Sequence, residues 1–235
     1  MSELFQSFAA NKKGVDYICS DVHGHFSLLE ERLDRENFDP GVDRVFCLGD
    51  LIDRGPESEL ALNWLNYDWF FSIQGNHERM LINSVDQSSA HMFSQWYAWG
   101  GAWAEALSHD ELMQFYEAFV RLPVALEVDL PGGKKVGLVH AELPDSCDWS
   151  DVKQILQSSD ASDVERSLLT SDMLWRKSQP FRTDPTSIEP VKNINHVFHG
   201  HTIVDFITTH ANRTFMDLGS YLNDDIGLIR PADFV

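Results

Sequence analysis

The sequence predicts an α/β fold whose first third forms a parallel sheet. Three short apolar runs with strand character occur there, and helical patterns separate them. Runs of this length that end in turn residues are typical of buried strands. The predicted elements of this third are strands 15–19, 45–48 and 69–73, with helices 27–34 and 57–65 between them. A β-α-β-α-β order favours a parallel sheet with crossover helices.

The middle of the chain should carry a mostly helical insertion, at about residues 85–122. Within it, Trp96, Trp99 and Trp103 follow spacings of three and four. An apolar stripe of this kind usually packs into a core, so we expect burial rather than a wall that contacts substrate. The glycine pair after Trp99 interrupts the helical pattern and predicts a bend that lies over a site.

The second half of the chain should supply a second sheet. Strand-like runs recur there at 136–139, 194–198, 203–209, 214–218 and 226–229. We expect the last three runs to belong to the second sheet of a layered sandwich. A chain of 235 residues, 43% of them hydrophobic, can bury one sizeable core, so residues 1–235 are predicted to form a single domain.

Composition limits the partners. The formal net charge of -19 argues against nucleic acid, because binding a polyanion requires a basic face. A site for phosphate would need its own positive charge from metal ions and arginines. The acidic surface would favour substrates with basic flanking residues, although its simpler interpretation is solubility. No segment approaches the ~20 apolar residues of a membrane span. Three cysteines fit reduced thiols, so we expect a cytoplasmic protein that neither binds nor crosses a membrane.

Five of the predicted strands end in a cluster of polar residues. Ligand sites of open α/β sheets lie beyond the carboxyl ends of the strands, so these clusters should converge on one edge of the fold. The residues that could meet there are Asp21, His23, Asp50, Asp53, Arg54, Asn76, His77, His140 and His201.

The ligand types in these clusters favour a pair of metal ions. Mixed oxygen and nitrogen donors without sulfur suit divalent manganese, iron or zinc better than calcium, and more donors are present than one ion can use. Two adjacent divalent ions would lower the pKa of a shared water and neutralise phosphoryl oxygens for in-line attack. Each residue alone would more often be a cap or a hydrogen-bonding residue, but the ordered set favours the metal site.

The clusters match the motif pattern of a known family. They read SDVHG at 20–24, GDLIDRG at 49–55, GNHE at 75–78, HAE at 140–142 and GHT at 200–202. The chain resembles the phosphoprotein phosphatase (PPP) family of metallophosphoesterases, and its WYAWGGAW segment is most similar to the small bacterial and phage members. The resemblance implies a four-layer α/β/β/α sandwich with a helical insertion. It also implies a two-metal phosphomonoester hydrolase that uses a metal-bridging hydroxide, most often a serine/threonine protein phosphatase, with activity on phosphotyrosine left open.

The resemblance assigns metal ligands to this chain. The first ion would be held by Asp21 and His23, and Asp50 would bridge both ions. The second ion would be held by Asn76, His140 and His201. We expect Mn²⁺, with iron or zinc as alternatives. His199 matches no ligand position in the family and is predicted to be structural.

The resemblance also assigns catalytic roles. His77 would protonate the leaving oxygen with Asp53 as its partner acid, and Arg54 would bind phosphate oxygens. A second phosphate-binding arginine is expected in a variable stretch, where Arg176 is the candidate and Arg182 the fallback. The substrates would be phosphorylated proteins or peptides, with small phosphoesters accepted in vitro.

Departures from the family pattern leave other functions open. Ser20 and Glu142 stand where relatives have glycine, and Tyr221 is the candidate for an aromatic residue that large relatives place near the metals. A symmetrical dinucleoside polyphosphate hydrolase is the second enzyme hypothesis, although such hydrolases often depart from aspartate at the position of Asp53. A scaffold that binds metal without catalysis is the hypothesis from another class.

Overall fold

The computed structural model describes residues 3–235, apart from the side chain of Pro185. Its strands in chain order are β1 (Phe5–Phe8), β2 (Asp16–Cys19), β3 (Arg44–Cys47), β4 (Phe70–Ser72), β5 (Ala125–Leu130), β6 (Lys134–Val139), β7 (His196–His199), β8 (Thr208–His210), β9 (Arg213–Phe215) and β10 (Leu228–Ile229). Its α-helices are α1 (Phe26–Arg35), α2 (Ala61–Leu65), α3 (Asn76–Gln87), α4 (Ala90–Ala98), α5 (His109–Phe119), α6 (Trp149–Gln157), α7 (Asp163–Trp175) and α8 (Ser220–Asn223). No helix in this described range has both the length and the apolar character that crossing a bilayer requires.

The first sheet contains the predicted parallel core. Strands β2, β3 and β4 are parallel neighbours, and β10 completes the sheet in the order β10-β2-β3-β4. Side chains alternate between its faces, as the two-residue period of a strand requires. Ile18 and Phe46 face the second sheet, whereas Tyr17 and Val45 face a layer of helices. The prediction of a parallel sheet in the first third is confirmed.

The second sheet has six strands in the order β1-β5-β6-β7-β9-β8. It packs on the first sheet through an apolar layer that includes Leu126, Val136 and Phe198 from one side and Leu48 and Ile73 from the other. Helices α1 to α5 contribute side chains to the core on the outer face of the first sheet. Helices α6 and α7 cover the outer face of the second. The predicted four-layer α/β/β/α sandwich is therefore confirmed.

Two of the predicted late runs differ from the structure. Of the run at 203–209 only the end is strand, as part of β8, and the run at 226–229 has a different neighbour. It was expected in the second sheet, and that expectation is wrong, because β10 pairs antiparallel with β2 in the first sheet. The amide of Gly227 donates to Ser20 Oγ at 3.0 Å, and the Ser20 amide donates to Gly227 O at 2.9 Å. Apolar periodicity identifies a strand but not its neighbour. The hydroxyl of Ser20, which a glycine would lack, thus adds one hydrogen bond to this strand pair.

The helical insertion bends where the glycine pair predicts. Gly100 adopts a left-handed φ of 116° after α4, and a short 3₁₀ helix at 101–106 leads to α5. Trp96 is fully buried and Trp103 is partly buried, as the stripe predicts. Trp99 is 59% exposed, so the prediction of burial is wrong for this residue. It follows the last residue of α4, where the chain leaves the helical face that the spacing assumes.

Candidate active site

Loops that follow β2, β3, β4, β6 and β7 bring the predicted residues together. Several of these residues have left-handed backbone, which costs a non-glycine residue about 1–2 kcal/mol. They are His23, Asp50, Asp53, Arg54 and His201, with φ between 46° and 76°. Strain of this kind concentrates at functional sites, where the surrounding structure holds it in place. Gly75 is required by close approach, because a Cβ there would collide with Asp50 Oδ1.

Asp50 lies at the centre of the cluster and is almost completely buried. His140 Nε2 lies 3.4 Å from its Oδ1, and His23 Nε2 lies 3.5 Å from its Oδ2. Burial raises the pKa of Asp50, but the surrounding imidazoles lower that pKa by more, so the carboxylate stays ionised. Two sets of side chains share this carboxylate, and within each set the ligand atoms lie within 4.8 Å of one another: His23, Asp50 and His77; and Asp50, His140 and His201.

Backbone carbonyls orient two of the imidazoles. His140 Nδ1 lies 2.7 Å from Leu48 O, and His23 Nδ1 lies 3.1 Å from Ile52 O. When Nδ1 carries the proton, Nε2 presents a lone pair, which is the arrangement that a metal-ligating histidine uses. Asn76 Oδ1 is 2.9 Å from His140 Nε2, so amide oxygen and imidazole nitrogen point to one place.

Asp21 lies beside this cluster. Both of its oxygens accept from the His201 amide at 3.0 Å. Burial raises the pKa of Asp21, and the nearby charges of Asp217 and Asp50 raise it further. Asp21 is in neither of the two described ligand sets. Buried carboxylates this close repel one another unless a cation compensates them, so this donor set fits divalent metal ions.

Sequence reasoning missed Asp217, a buried acid that follows β9. Its Oδ1 accepts from the Gly219 amide at 2.9 Å. Burial, together with the charge of Asp50, raises its pKa to about 6. The signal that found the other clusters, a strand that ends in an acid, is also present here in Thr214 to Asp217.

His77 and Asp53 form a buried pair. His77 Nδ1 lies 2.6 Å from Asp53 Oδ2, which also accepts from Trp96 Nε1 at 2.8 Å. Trp103 Nε1 donates to the other carboxylate oxygen at 2.7 Å. Burial lowers the pKa of His77, but the charge of Asp50 and the hydrogen bond to Asp53 outweigh it and raise the pKa overall. His77 Nε2 is buried without a hydrogen-bond partner in the described chain, 3.9 Å from Asp50 Oδ2. The insertion thus fixes this pair through two indoles.

Glu78 fastens two of the converging loops to each other. Its carboxylate accepts from the amides of Asp50 at 2.9 Å, Leu51 at 2.8 Å and Gly75 at 2.7 Å. Burial raises its pKa to about 7. The last residue of the GNHE cluster is therefore an acceptor that shapes the loops, a role that the sequence did not predict.

Replacing Glu78 by glutamine should destabilise the fold by about 2 kcal/mol or more, because its amide group would face donors and leave a buried N–H unpaired. Urea unfolding of the two proteins measures the difference. Glu165→Gln is the matched control, since the carboxylate of Glu165 also accepts from a backbone amide, that of Ser162 at the start of α7, but is exposed. Equal stability of the Glu78 variant and the wild type would contradict the fastening role.

Arg54 lies in the cleft above the cluster. Its Nη1 is 2.8 Å from His23 Nε2, and its guanidinium lies 4.2 Å from the centre of the Tyr221 ring. The lone pair of His23 Nε2 cannot serve both Arg54 and a metal. A metal on His23 therefore requires Arg54 to release this nitrogen, which frees the guanidinium to bind an anion. Tyr221 also packs edge-on against His23, so the structure places this candidate aromatic at the site.

The cleft has a volume of about 420 Å³. Asp50, Arg54, Asn76 and His201 line it together with Lys177 and several apolar side chains.

Arg176, the candidate second arginine, does not line this cleft in the described structure. It lies 3.2 Å from Asp172 Oδ2 and 3.5 Å from Glu142 Oε2. Arg182 donates to both oxygens of Asp145 at 2.7 Å. Lys177, the residue directly after Arg176, is the basic side chain from this stretch that lines the cleft.

Glu142, the other departure from the family pattern, holds the segment that carries Lys177. It accepts from the Gln179 amide at 2.7 Å and from Ser178 Oγ at 2.9 Å. His199 Nδ1 donates to Ala141 O at 2.7 Å, and its ring stacks on Phe215, which fits the structural role predicted for it.

Comparison with known proteins identifies the family. The sequence profile of calcineurin-like phosphoesterases matches residues 17–205. The chain is 30% identical over 217 residues to serine/threonine-protein phosphatase 2 of Salmonella typhimurium, covering 91% of each protein. It is 26% identical over 198 residues to the symmetrical bis(5'-nucleosyl)-tetraphosphatase of Pseudomonas entomophila, covering 77% of this chain and 62% of that protein. A solved protein serine/threonine phosphatase from Saccharomyces cerevisiae has the same fold, with a TM-score of 0.61, 18% identity, and coverage of 92% of this chain and 71% of that one. The chain therefore belongs to the calcineurin-like phosphoesterase family and is a hydrolase of phosphoesters.

Proposed function

We propose that the chain is a metal-dependent protein phosphatase that hydrolyses phosphoserine and phosphothreonine. The observation that carries this proposal is the buried His77–Asp53 pair, whose free Nε2 faces the ligand cluster at the floor of an open cleft. A proton donor in that place serves a leaving alkoxide, which is a poor leaving group without protonation. The similarity to a bacterial serine/threonine phosphatase over 91% of both proteins supports the same substrate class.

The proposed cofactors are two divalent ions, with Mn²⁺ preferred. Asp21, His23 and Asp50 would hold one ion, and Asp50 with Asn76, His140 and His201 the other. When bound, such ions activate water and neutralise phosphoryl oxygens. The donor set of carboxylate, amide and imidazole without thiolate fits these ions.

The other residues of the site have separate proposed roles. Asp53 holds the His77 ring through Nδ1, so that Nε2 carries the proton toward the leaving oxygen. Arg54 offers a planar guanidinium to two phosphate oxygens. Lys177, which is distant from Arg54 in the sequence, supplies a second positive charge to the cleft. The net charge of the whole protein is -19.

Hydrolysis of dinucleoside polyphosphates is the second candidate, favoured by the similarity to a tetraphosphatase. Purified, manganese-loaded protein should therefore be offered a phosphothreonine peptide and diadenosine tetraphosphate side by side. We expect the higher kcat/KM with the phosphopeptide, and phosphate as the only phosphorus product. A large preference for the nucleotide would overturn the protein phosphatase proposal. The assignment of the chain to the phosphoesterase family would still hold.

Lys177 and Arg176 are competing candidates for the second phosphate-binding cation. Replacing Lys177 by alanine should lower kcat/KM for a phosphopeptide about tenfold, the effect of losing about 1.4 kcal/mol of charge-assisted binding. Arg176→Ala is the matched control and should change kcat/KM less, because its charge already meets Glu142 and Asp172. The opposite order of effects would restore Arg176 to the role predicted from the sequence.

We also propose that the protein acts in the cytoplasm on phosphorylated proteins, and that nucleic acid and membranes are not its partners.

A further inference from the structure

We propose that the cleft carries an apolar subsite that selects phosphopeptides with a large apolar residue beside the phosphorylated one. The subsite is the aromatic rim, defined as Trp99, Trp175, Phe181 and Tyr221. This inference rests on the proposed protein phosphatase function and names its preferred substrates.

Three of the four members of the aromatic rim are exposed, although they are large and apolar. Trp99 is 59% exposed, Trp175 44% and Phe181 65%. Single exposed apolar residues are ordinary, but several that line one concave surface mark a binding site. They come from separate parts of the chain: Trp99 follows α4, Trp175 ends α7 and Tyr221 lies in α8. The fold thus assembles the rim around one opening.

The aromatic rim is continuous with the phosphate end of the cleft. The same surface of about 420 Å³ includes Asp50, Arg54 and Lys177. A phosphorylated side chain that reaches Asp50 would therefore leave its neighbouring residues against the rim. Aromatic side chains give strong contact with apolar partners because they offer large rigid surfaces.

Charge favours a peptide over a nucleotide as the occupant. Among the residues that line the cleft, the basic side chains are Arg54 and Lys177. Arg176 and Arg182 nearby are already paired with carboxylates. A dinucleoside polyphosphate spreads charge along its whole polyphosphate chain, and the described cleft lining offers it no cation beyond Arg54, Lys177 and the proposed metal ions. A phosphopeptide concentrates its charge on one phosphoryl group, and its flanks can be neutral.

The same pairing weakens the argument for basic flanking residues. Three acids that lie on or contact the segment carrying Trp175 and Phe181, namely Glu142, Asp145 and Asp172, each lie within 4.0 Å of an arginine nitrogen. Arg176 and Arg182 therefore offset part of their local field, although the whole chain is acidic. Apolar contact with the rim is then the feature by which the cleft distinguishes one flanking residue of the peptide from another.

The test compares phosphothreonine peptides that are identical except for alanine, phenylalanine or lysine at both flanking positions. With the manganese-loaded protein, we expect kcat/KM to be about tenfold higher for the phenylalanine peptide than for the alanine peptide, as burial of part of an aromatic side chain provides. In Phe181→Ala this ratio should fall toward one. Phe206→Ala is the matched control, since Phe206 is 80% exposed and does not line the cleft, and its ratio should equal that of the wild type.

Equal turnover of the alanine and phenylalanine peptides, or a preference for lysine, would overturn the subsite while leaving the protein phosphatase proposal standing. Loss of the ratio in Phe206→Ala would also overturn it. Failure of every peptide alongside rapid hydrolysis of diadenosine tetraphosphate would refute the proposed function itself. In that case binding of the same peptides to His77→Asn decides the subsite: tighter binding of the phenylalanine peptide supports it, and equal binding rejects it.

Discussion

Replacing His77 by asparagine should lower kcat about 100-fold or more, the usual cost of removing a general acid. Asparagine retains an amide that can still meet Asp53, but it has no group that donates a proton at neutral pH. The measurement is steady-state kinetics with p-nitrophenyl phosphate and with a phosphopeptide. The loss should be larger for the peptide, because its alkoxide leaves less readily than nitrophenolate.

Metal analysis of the same variant decides between two roles for His77. Its Nε2 lies close enough to His23 and Asp50 to belong to one of the potential ligand sets. As a proton donor it is dispensable for binding, so the variant should contain as much metal as the wild type. A matching loss of metal and activity would reassign His77 as a ligand, and unchanged turnover would remove it from the mechanism.

A second buried histidine provides the control. His196 is almost completely buried, and its Nε2 lies 2.7 Å from Thr214 Oγ1. It is the first residue of β7, so it lies away from the carboxyl end of that strand. His196→Asn also removes a buried imidazole, so it should reduce stability. Its kcat per folded molecule should stay within about twofold of the wild type, as expected for a group outside the reaction.

The convergence of the site could be predicted because it follows from strand geometry. Parallel neighbours in one sheet place their carboxyl ends at one edge, so Asp50 and Asn76 meet without any knowledge of the side-chain contacts, and so do His140 and His201 in the other sheet. The alternation of Ile18 and Tyr17 between two faces could be predicted for the same reason. These features depend on local periodicity, which the sequence carries directly.

Other features depend on contacts between distant segments. Arg176 and Lys177 are adjacent, and only the pairing of Arg176 with Glu142 and the placement of Lys177 in the cleft distinguish them. Trp99 fits the apolar stripe, yet it follows the end of its helix and turns to the cleft. Glu78 resembles any acid in the first turn of a helix until the loop amides it accepts are known. No periodicity contains this information, because each outcome is set by a partner far along the chain.

Replacing Asp50 by asparagine should remove at least one equivalent of metal and lower activity by more than about 1,000-fold, the loss expected when preorganised charge stabilisation is removed. The substitution preserves the shape of a buried side chain, but it replaces one of the two oxygens with an NH₂ group. That group carries no negative charge and cannot ligate a cation. Because His23 approaches one oxygen at 3.5 Å and His140 the other at 3.4 Å, only a carboxylate can serve both ligand sets at once.

Elemental analysis after loading with Mn²⁺ distinguishes this explanation from simple unfolding. Asp43→Asn is the matched control: Asp43 is also buried, and its two oxygens accept from the Val15 and Asp39 amides at 2.7 and 2.9 Å, remote from the cluster. It should lose stability and keep its full metal content. Two equivalents of metal in Asp50→Asn would show that the two sites do not depend on a shared carboxylate, and the bridging assignment would then fail even if activity were lost.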